Sequence, residues 1–241
     1  MSAQQNALSR LANSMRLFGE ANLKFEGLKK IDLEEAVHNL DRTFEAKLEA
    51  FHSLYDVDKV EFDYFAHADT AVLVMLRNAI HHRDHPLFSS WNEEMALNGG
   101  IDRSRGAEFI FAAHEVVGAG HTMRQFYRLD DFYLRLDETL ASPHLEDRMG
   151  VRNREKLLGQ INSELNFSEI SRHTTAERYP SHQVYLNIIP IFISALCRVF
   201  GSLNERGVKF GGFDAGAYKS VFVDELSVDL NSVSYDKLRI L

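Results

Sequence analysis

The sequence predicts a mainly α-helical bundle carrying a small inserted β-hairpin, and three observations predict it. Apolar residues recur at helical spacing from Leu33 to Tyr55, again around Val72 to Ala79, and again from Tyr185 to Leu203. The period changes over 107–129, where aromatic and β-branched residues flank a glycine-rich turn. With 241 residues, 45% hydrophobic and 26% charged, the chain has the composition of a globular protein able to bury a sizeable core, and 1–241 reads as a single domain.

Taken in order, Asp32 and Glu35 fit a capping box opening a helix over 32–55, with Leu33, Val37, Leu40, Phe44, Leu48, Phe51 and Tyr55 as its core-facing stripe. A second helix is expected from near Asp58 or Asp63, with Phe65, Ala68, Val72, Met75, Leu76 and Ala79 on its apolar side. Asp84-His85-Pro86 should end it, because a residue before proline is pushed out of the α region. Residues 87–105 read as a short helical piece and a loop. Glu108 to Val117, the turn at Gly118-Ala119-Gly120-His121 and Thr122 to Leu129 form the expected hairpin; a helix through Phe109–Val117 is the alternative, since Ala112, Ala113 and Glu115 favour one. His114 and His121 then fall on the surface beside the turn.

Helices over 130–140 and 152–167 follow, then a polar connection over 168–181, then a long helix from about His182 to Glu205 kinked at Pro190. Gly207 is placed to stop that helix, and the tail 207–241 carries no readable period.

The net charge of −8 argues against a protein that coats nucleic acid through a uniformly basic surface, but leaves room for a local basic site. Charge is uneven along the chain: acidic residues outnumber basic ones from Lys29 to Asp69, and Arg77, Arg83, Arg103 and Arg105 follow. The single cysteine, Cys197, excludes a disulfide framework and Cys-based zinc patterns, and its place on an apolar run predicts an inert thiol. No basic and apolar leader pattern opens the chain, and the longest apolar run, Ile188 to Cys197, is roughly half the length of a membrane span. These features predict a cytoplasmic protein with no membrane partner.

One stretch offers chemistry: Leu76-Arg77-Asn78-Ala79-Ile80-His81-His82-Arg83-Asp84-His85, on the last turn of the second predicted helix. A guanidinium stays charged and presents a fork of donors to phosphate, while imidazole moves protons near neutral pH. An amide can hold either group. Arg77, Asn78 and His82 therefore have the residue types that metal-free RNA cleavage requires. Helical geometry at about 100° per residue aligns Arg77 with His81 and Asn78 with His82, and leaves Arg77 and His82 roughly 140° apart. They converge if the helix unwinds near Asp84, or if they act from different protomers. The plainer alternative is a helix end placing cations against the negative end of its dipole. A metal site on His81, His82, Asp84 and His85 is the weaker reading, because their spacing across a helix end holds no common face.

This stretch resembles the HEPN superfamily, whose signature is an Arg, usually followed by a polar residue, with a His four to six residues on. The resemblance covers chiefly residues 64–86 and implies a HEPN-like helical bundle, homodimeric, with the motif paired across the interface. It also implies a metal-independent endoribonuclease needing no cofactor, with RNA as substrate, a toxin or defence role, and an antitoxin protein as partner. Carried over by position, Arg77, Asn78 and His82 are the catalytic set; His81, Arg83 and His85 are accessory. His81 is the rival of His82, although three intervening residues lie outside the family spacing.

Overall fold

The computed structural model describes residues 2–81, 87–118, 123–146 and 148–241. The chain is mainly helical, with one small four-stranded sheet. The opening helix, α1 (Ala3–Leu28), has a complete capping box, Ser2 with Gln5, and buries Leu8, Leu11, Met15 and Phe18. The sequence reading places no element there. Its partner α2 (Leu33–Asp58) starts where expected: Asp32 accepts from the Glu35 backbone N–H, while the Glu35 carboxylate turns to Asn39 instead of closing the box. Val37, Leu40, Phe44, Leu48 and Phe51 are all buried, so the middle of the predicted stripe is the core face, while Leu33 at its start is exposed and Tyr55 at its end is half-buried. Lys47 is buried among them, its Nζ 4.0, 4.8 and 4.2 Å from the ring centroids of Phe18, Phe44 and Phe192. Burial pushes its pKa well below the ordinary lysine value; the three ring faces oppose that shift by attracting the ammonium form.

The second predicted helix is shorter than expected. Residues 59–67 form turns, and α3 (Ala68–His81) begins only at Ala68, because the Tyr64 carbonyl is taken by the Thr70 hydroxyl and the Ala68 N–H by the Glu164 carboxylate. Its first turn is pinned from a third side: buried Asp69 accepts from Ser194 Oγ at 2.7 Å and pairs with Arg198 Nε at 3.2 Å. The N-terminal end of α3 is thus fixed by two other helices, which aims its motif-bearing end. A single-turn piece, α4 (Gly100–Arg103), follows, then α5 (Leu129–Leu136) and α6 (Val151–Glu164) near their predicted places.

Several expectations are corrected. The stretch 107–129 does form two strands, β1 (Glu108–Val117) and β2 (Phe126–Arg128), but they do not pair as a hairpin. The order is β2-β3-β1-β4, with β3 (Val184–Asn187) between them, parallel to β1 and antiparallel to β2. Ile110 and Ala112 on one face of β1, and Phe109 and Phe111 on the other, are buried, so both faces of this strand are covered, as befits a central strand paired on both edges. Parallel pairing requires a long crossover, which α5, α6 and α7 (Phe167–Ala176) supply.

That last helix occupies most of the stretch expected as a polar connection, and buries Phe167, Ile170 and Thr174 every third or fourth residue. Likewise, the long helix expected from His182 starts six residues later, as α8 (Ile188–Glu205), because 184–187 is spent on β3. Pro190 lies in its first turn, where a missing N–H costs nothing, so it opens the helix and does not kink it. Among the described residues α8 is the helix long and apolar enough to cross a membrane, yet Ile188, Phe192, Leu196, Val199 and Leu203 pack it into the core.

The tail has structure of its own. After α9 (Phe213–Ser220), β4 (Ser227–Arg239) runs antiparallel to β1 from Glu108↔Arg239 to Val117↔Ser227, with a bulge between His114 and Glu115. Gly118 has φ 90°, and a Cβ there would collide with the Glu225 carbonyl. His114 is buried rather than exposed, because β1 is a central strand. Its Nε2 lies 2.9 Å from the Leu165 carbonyl, and burial holds its pKa below the ordinary imidazole value.

Candidate functional site

The motif end of α3 lies against α2, and one carboxylate organises it. Glu49 takes Arg77 Nη2 on one oxygen at 2.7 Å and His81 Nδ1 on the other at 3.2 Å. Arg77 and His81 therefore share a helix face, as their four-residue spacing requires. Arg77 Nη1 donates to Asn78 Oδ1 at 3.2 Å, while its Nε is buried without a hydrogen-bond partner among the described residues. Two of the three nominated catalytic residues are in contact. His82, Arg83 and His85 lie outside the described residues, as does most of the His81–His85 metal reading; among the described residues no group of three His, Cys, Asp or Glu side chains is placed to hold a metal.

Arg77 and Asn78 face a cavity of about 520 Å³ between α2, α3 and the segment leading into α6. Its floor is apolar, built from Phe65, Val74, Met75, Met149 and Leu157, and its rim carries Arg77, Arg148, Lys156 and His52. Lys156 and Gln160 reach across to the Phe65 carbonyl, at 3.0 and 3.3 Å, and so tie α6 to the turn before α3. Glu146 is the acidic member of the lining, and it is engaged by buried Arg135. Cationic groups and apolar atoms in one lining are a chemistry suited to an anion attached to a flat or apolar body.

His52 is the residue that the sequence reading passed over. It is half-buried on α2, its Nδ1 3.2 Å from Asp56 Oδ2, and its ring meets Tyr55 edge-on at 5.2 Å. Burial first, and the neighbouring Arg77 charge second, lower its pKa below the ordinary imidazole value, against the opposing pull of Asp56 and Glu49. The neutral ring is favoured near neutral pH. A signal was present: Glu49, His52 and Asp56 are spaced three and four apart, which puts them on one face of a helix.

A second cavity of about 410 Å³ opens on the other side of α3, lined by His38, Asp41, Arg42, Glu45, Glu93 and Glu94 among others. Asp41 is largely buried there, and desolvation raises its pKa to about 6, while hydrogen bonds from Gln125 and Ser90 moderate the rise. This cavity's lining is mainly acidic, the opposite balance to the first. Cys197, half-buried against the Leu226 carbonyl, has its thiol pKa pushed up to about 11 by burial, which agrees with an inert thiol. No protein-family model matches the chain, and no curated protein and no solved structure is significantly similar to it.

Proposed function

We propose that the chain is a HEPN-like, metal-independent endoribonuclease acting on cytoplasmic RNA in a toxin or defence role. The observation that carries this reading is the joint position of Arg77 and Asn78 on the wall of a cavity whose rim also bears Arg148 and Lys156. A phosphodiester seated there meets a guanidinium held in place by Glu49, and the apolar floor suits the adjoining base. Arg77 stabilises the phosphorane, Asn78 orients it, and His82 is the proton-transfer residue assigned by the motif. The product is a 2′,3′-cyclic phosphate and a 5′-hydroxyl.

Wild-type protein is expected to cut single-stranded RNA in excess EDTA and to leave DNA intact, since DNA lacks the attacking hydroxyl. Arg77→Ala and His82→Ala should each lower the rate at least about a hundredfold, and His81→Ala much less. Loss of activity on chelation with recovery on adding a divalent ion would overturn the mechanism. One observation favours a second reading, a non-catalytic module that binds RNA or nucleotide: Glu49 already neutralises Arg77 and engages His81. RNA bound in an Arg77-dependent manner but never cut would establish that reading instead.

We also propose a homodimer with the C-terminal half of α3 in its interface, because Arg77 and His82 diverge by roughly 140° on one straight helix. Light scattering should give twice the monomer mass at micromolar concentration; a monomer would count against the composite site. A cognate antitoxin would be a separate chain covering the same face.

A further inference from the structure

We propose that His52, oriented by Asp56, is the general base of this site, taking the proton from the RNA 2′-hydroxyl. The inference rests on the ribonuclease reading above. It places the base and the phosphate-binding guanidinium on adjacent helices of one chain, so that this half of the chemistry does not need a second protomer.

Geometry carries it. His52 and Arg77 line the same cavity, the first from α2 and the second from α3. His52 Nδ1 lies 3.2 Å from Asp56 Oδ2, and the carboxylate beside it favours the tautomer protonated on Nδ1, which leaves the Nε2 lone pair as the proton acceptor. Asp56 is itself steadied by Lys59, whose Nζ lies 3.2 Å from its other oxygen. Asp56 is thus a positioning residue, four residues on from the imidazole it holds and one helical turn away. The charged groups around the ring are Asp56 and Glu49 on its own helix, Arg77 on α3, and Lys156, Arg148 and Glu146 across the cavity. Burial first and the Arg77 charge second hold the His52 pKa below the ordinary imidazole value against Asp56 and Glu49, which favours the unprotonated, proton-accepting ring.

The 2′-hydroxyl proton passes to His52 Nε2 as the 2′-oxygen bonds to phosphorus. The bond from phosphorus to the 5′-oxygen breaks, and that oxygen takes a proton from water, leaving hydroxide that the proton released by His52 neutralises. His52 then returns its proton to solvent. No oxidant, metal or co-reactant enters.

The test compares wild type, His52→Ala, His52→Gln and Asp56→Asn on an RNA oligonucleotide. Binding is read separately with a 2′-O-methyl copy that cannot be cut, and thermal unfolding is read alongside. His52→Ala and His52→Gln should lose at least about a hundredfold in kcat with KM, 2′-O-methyl RNA affinity and melting temperature little changed. Imidazole added to His52→Ala should restore cleavage in proportion to its neutral form, a rescue that a purely structural histidine would not show. Wild-type cleavage should fall on the acid side with a midpoint below the ordinary histidine value, and Asp56→Asn should move that midpoint. If wild type cuts RNA and both His52 variants cut it within about threefold, His52 is not the base and the ribonuclease reading stands without it. If wild type fails to cut any RNA that it binds, both fall together.

Discussion

Arg206→Ala is expected to destabilise the fold by about 3–5 kcal/mol, towards the lower figure because the arginine side chain is 24% exposed. Asp58, the last residue of α2, is fully buried and accepts from Arg206 Nη1 and Nη2, both at 2.9 Å. Gln4 of α1 adds a third hydrogen bond, also at 2.9 Å. One carboxylate therefore ties α1 and α2 to the residue that caps the C-terminal end of α8. Truncating the arginine leaves a buried anion with Gln4 as its remaining partner among the described residues, and that unpaired charge is what dominates the cost. Urea unfolding measures it, with Arg172→Ala as the control, since the solvent-exposed Arg172–Glu169 pair should contribute little. A loss for Arg206→Ala no larger than that of the control would show that the buried pair does not hold the helices together.

Asp41→Asn should make the protein more stable near pH 8 by about 1–3 kcal/mol, and the gain should vanish below about pH 4. Folding raises this carboxyl from an ordinary 3.8 to about 6, chiefly by desolvation, with Glu93 and Glu45 adding to the rise. A carboxyl whose folded pKa is raised prefers its proton in the native state. Its contribution to stability is fully present below 3.8 and is lost as pH climbs through about 6, where the native protein must ionise a buried group. Asparagine keeps an Oδ1 acceptor for Gln125 Nε2, which approaches Asp41 Oδ1 at 2.8 Å, turns its Nδ2 as a donor toward Ser90 Oγ, which lies 2.7 Å from the other oxygen, and carries no charge to desolvate. Asp131, also raised to about 6, is common to both proteins and cancels in the difference. Unfolding free energies of the two proteins across pH give the answer. A difference that stays constant between about pH 4 and 8 would mean that Asp41 ionises without penalty.

Sequence by itself determined the helices that carry a long amphipathic stripe. The positions from Val37 to Phe51 could face nothing but a core, because apolar groups at three- and four-residue spacing make one continuous surface that water penalises. The contact of Arg77 with Asn78, and its shared face with His81, were likewise local matters of helical pitch. What the sequence did not disclose is every feature that depends on residues far apart in the chain. β1 and β2 read as a hairpin because they are neighbours along the chain, yet β3, some seventy residues beyond β1, displaces that pairing by offering β1 a parallel edge. Pro190 reads as a kink only until β3 takes 184–187 and leaves the proline in a first turn. For the candidate site, α3 alone supplies Arg77 and Asn78; packing against α2 brings Glu49, His52 and Asp56 beside them, and α6 closes the cavity with Lys156. Local spacing sets which side chains share a helix face, since that takes only backbone geometry. Which two faces meet is set by burial summed over the whole chain, and only the folded structure performs that sum.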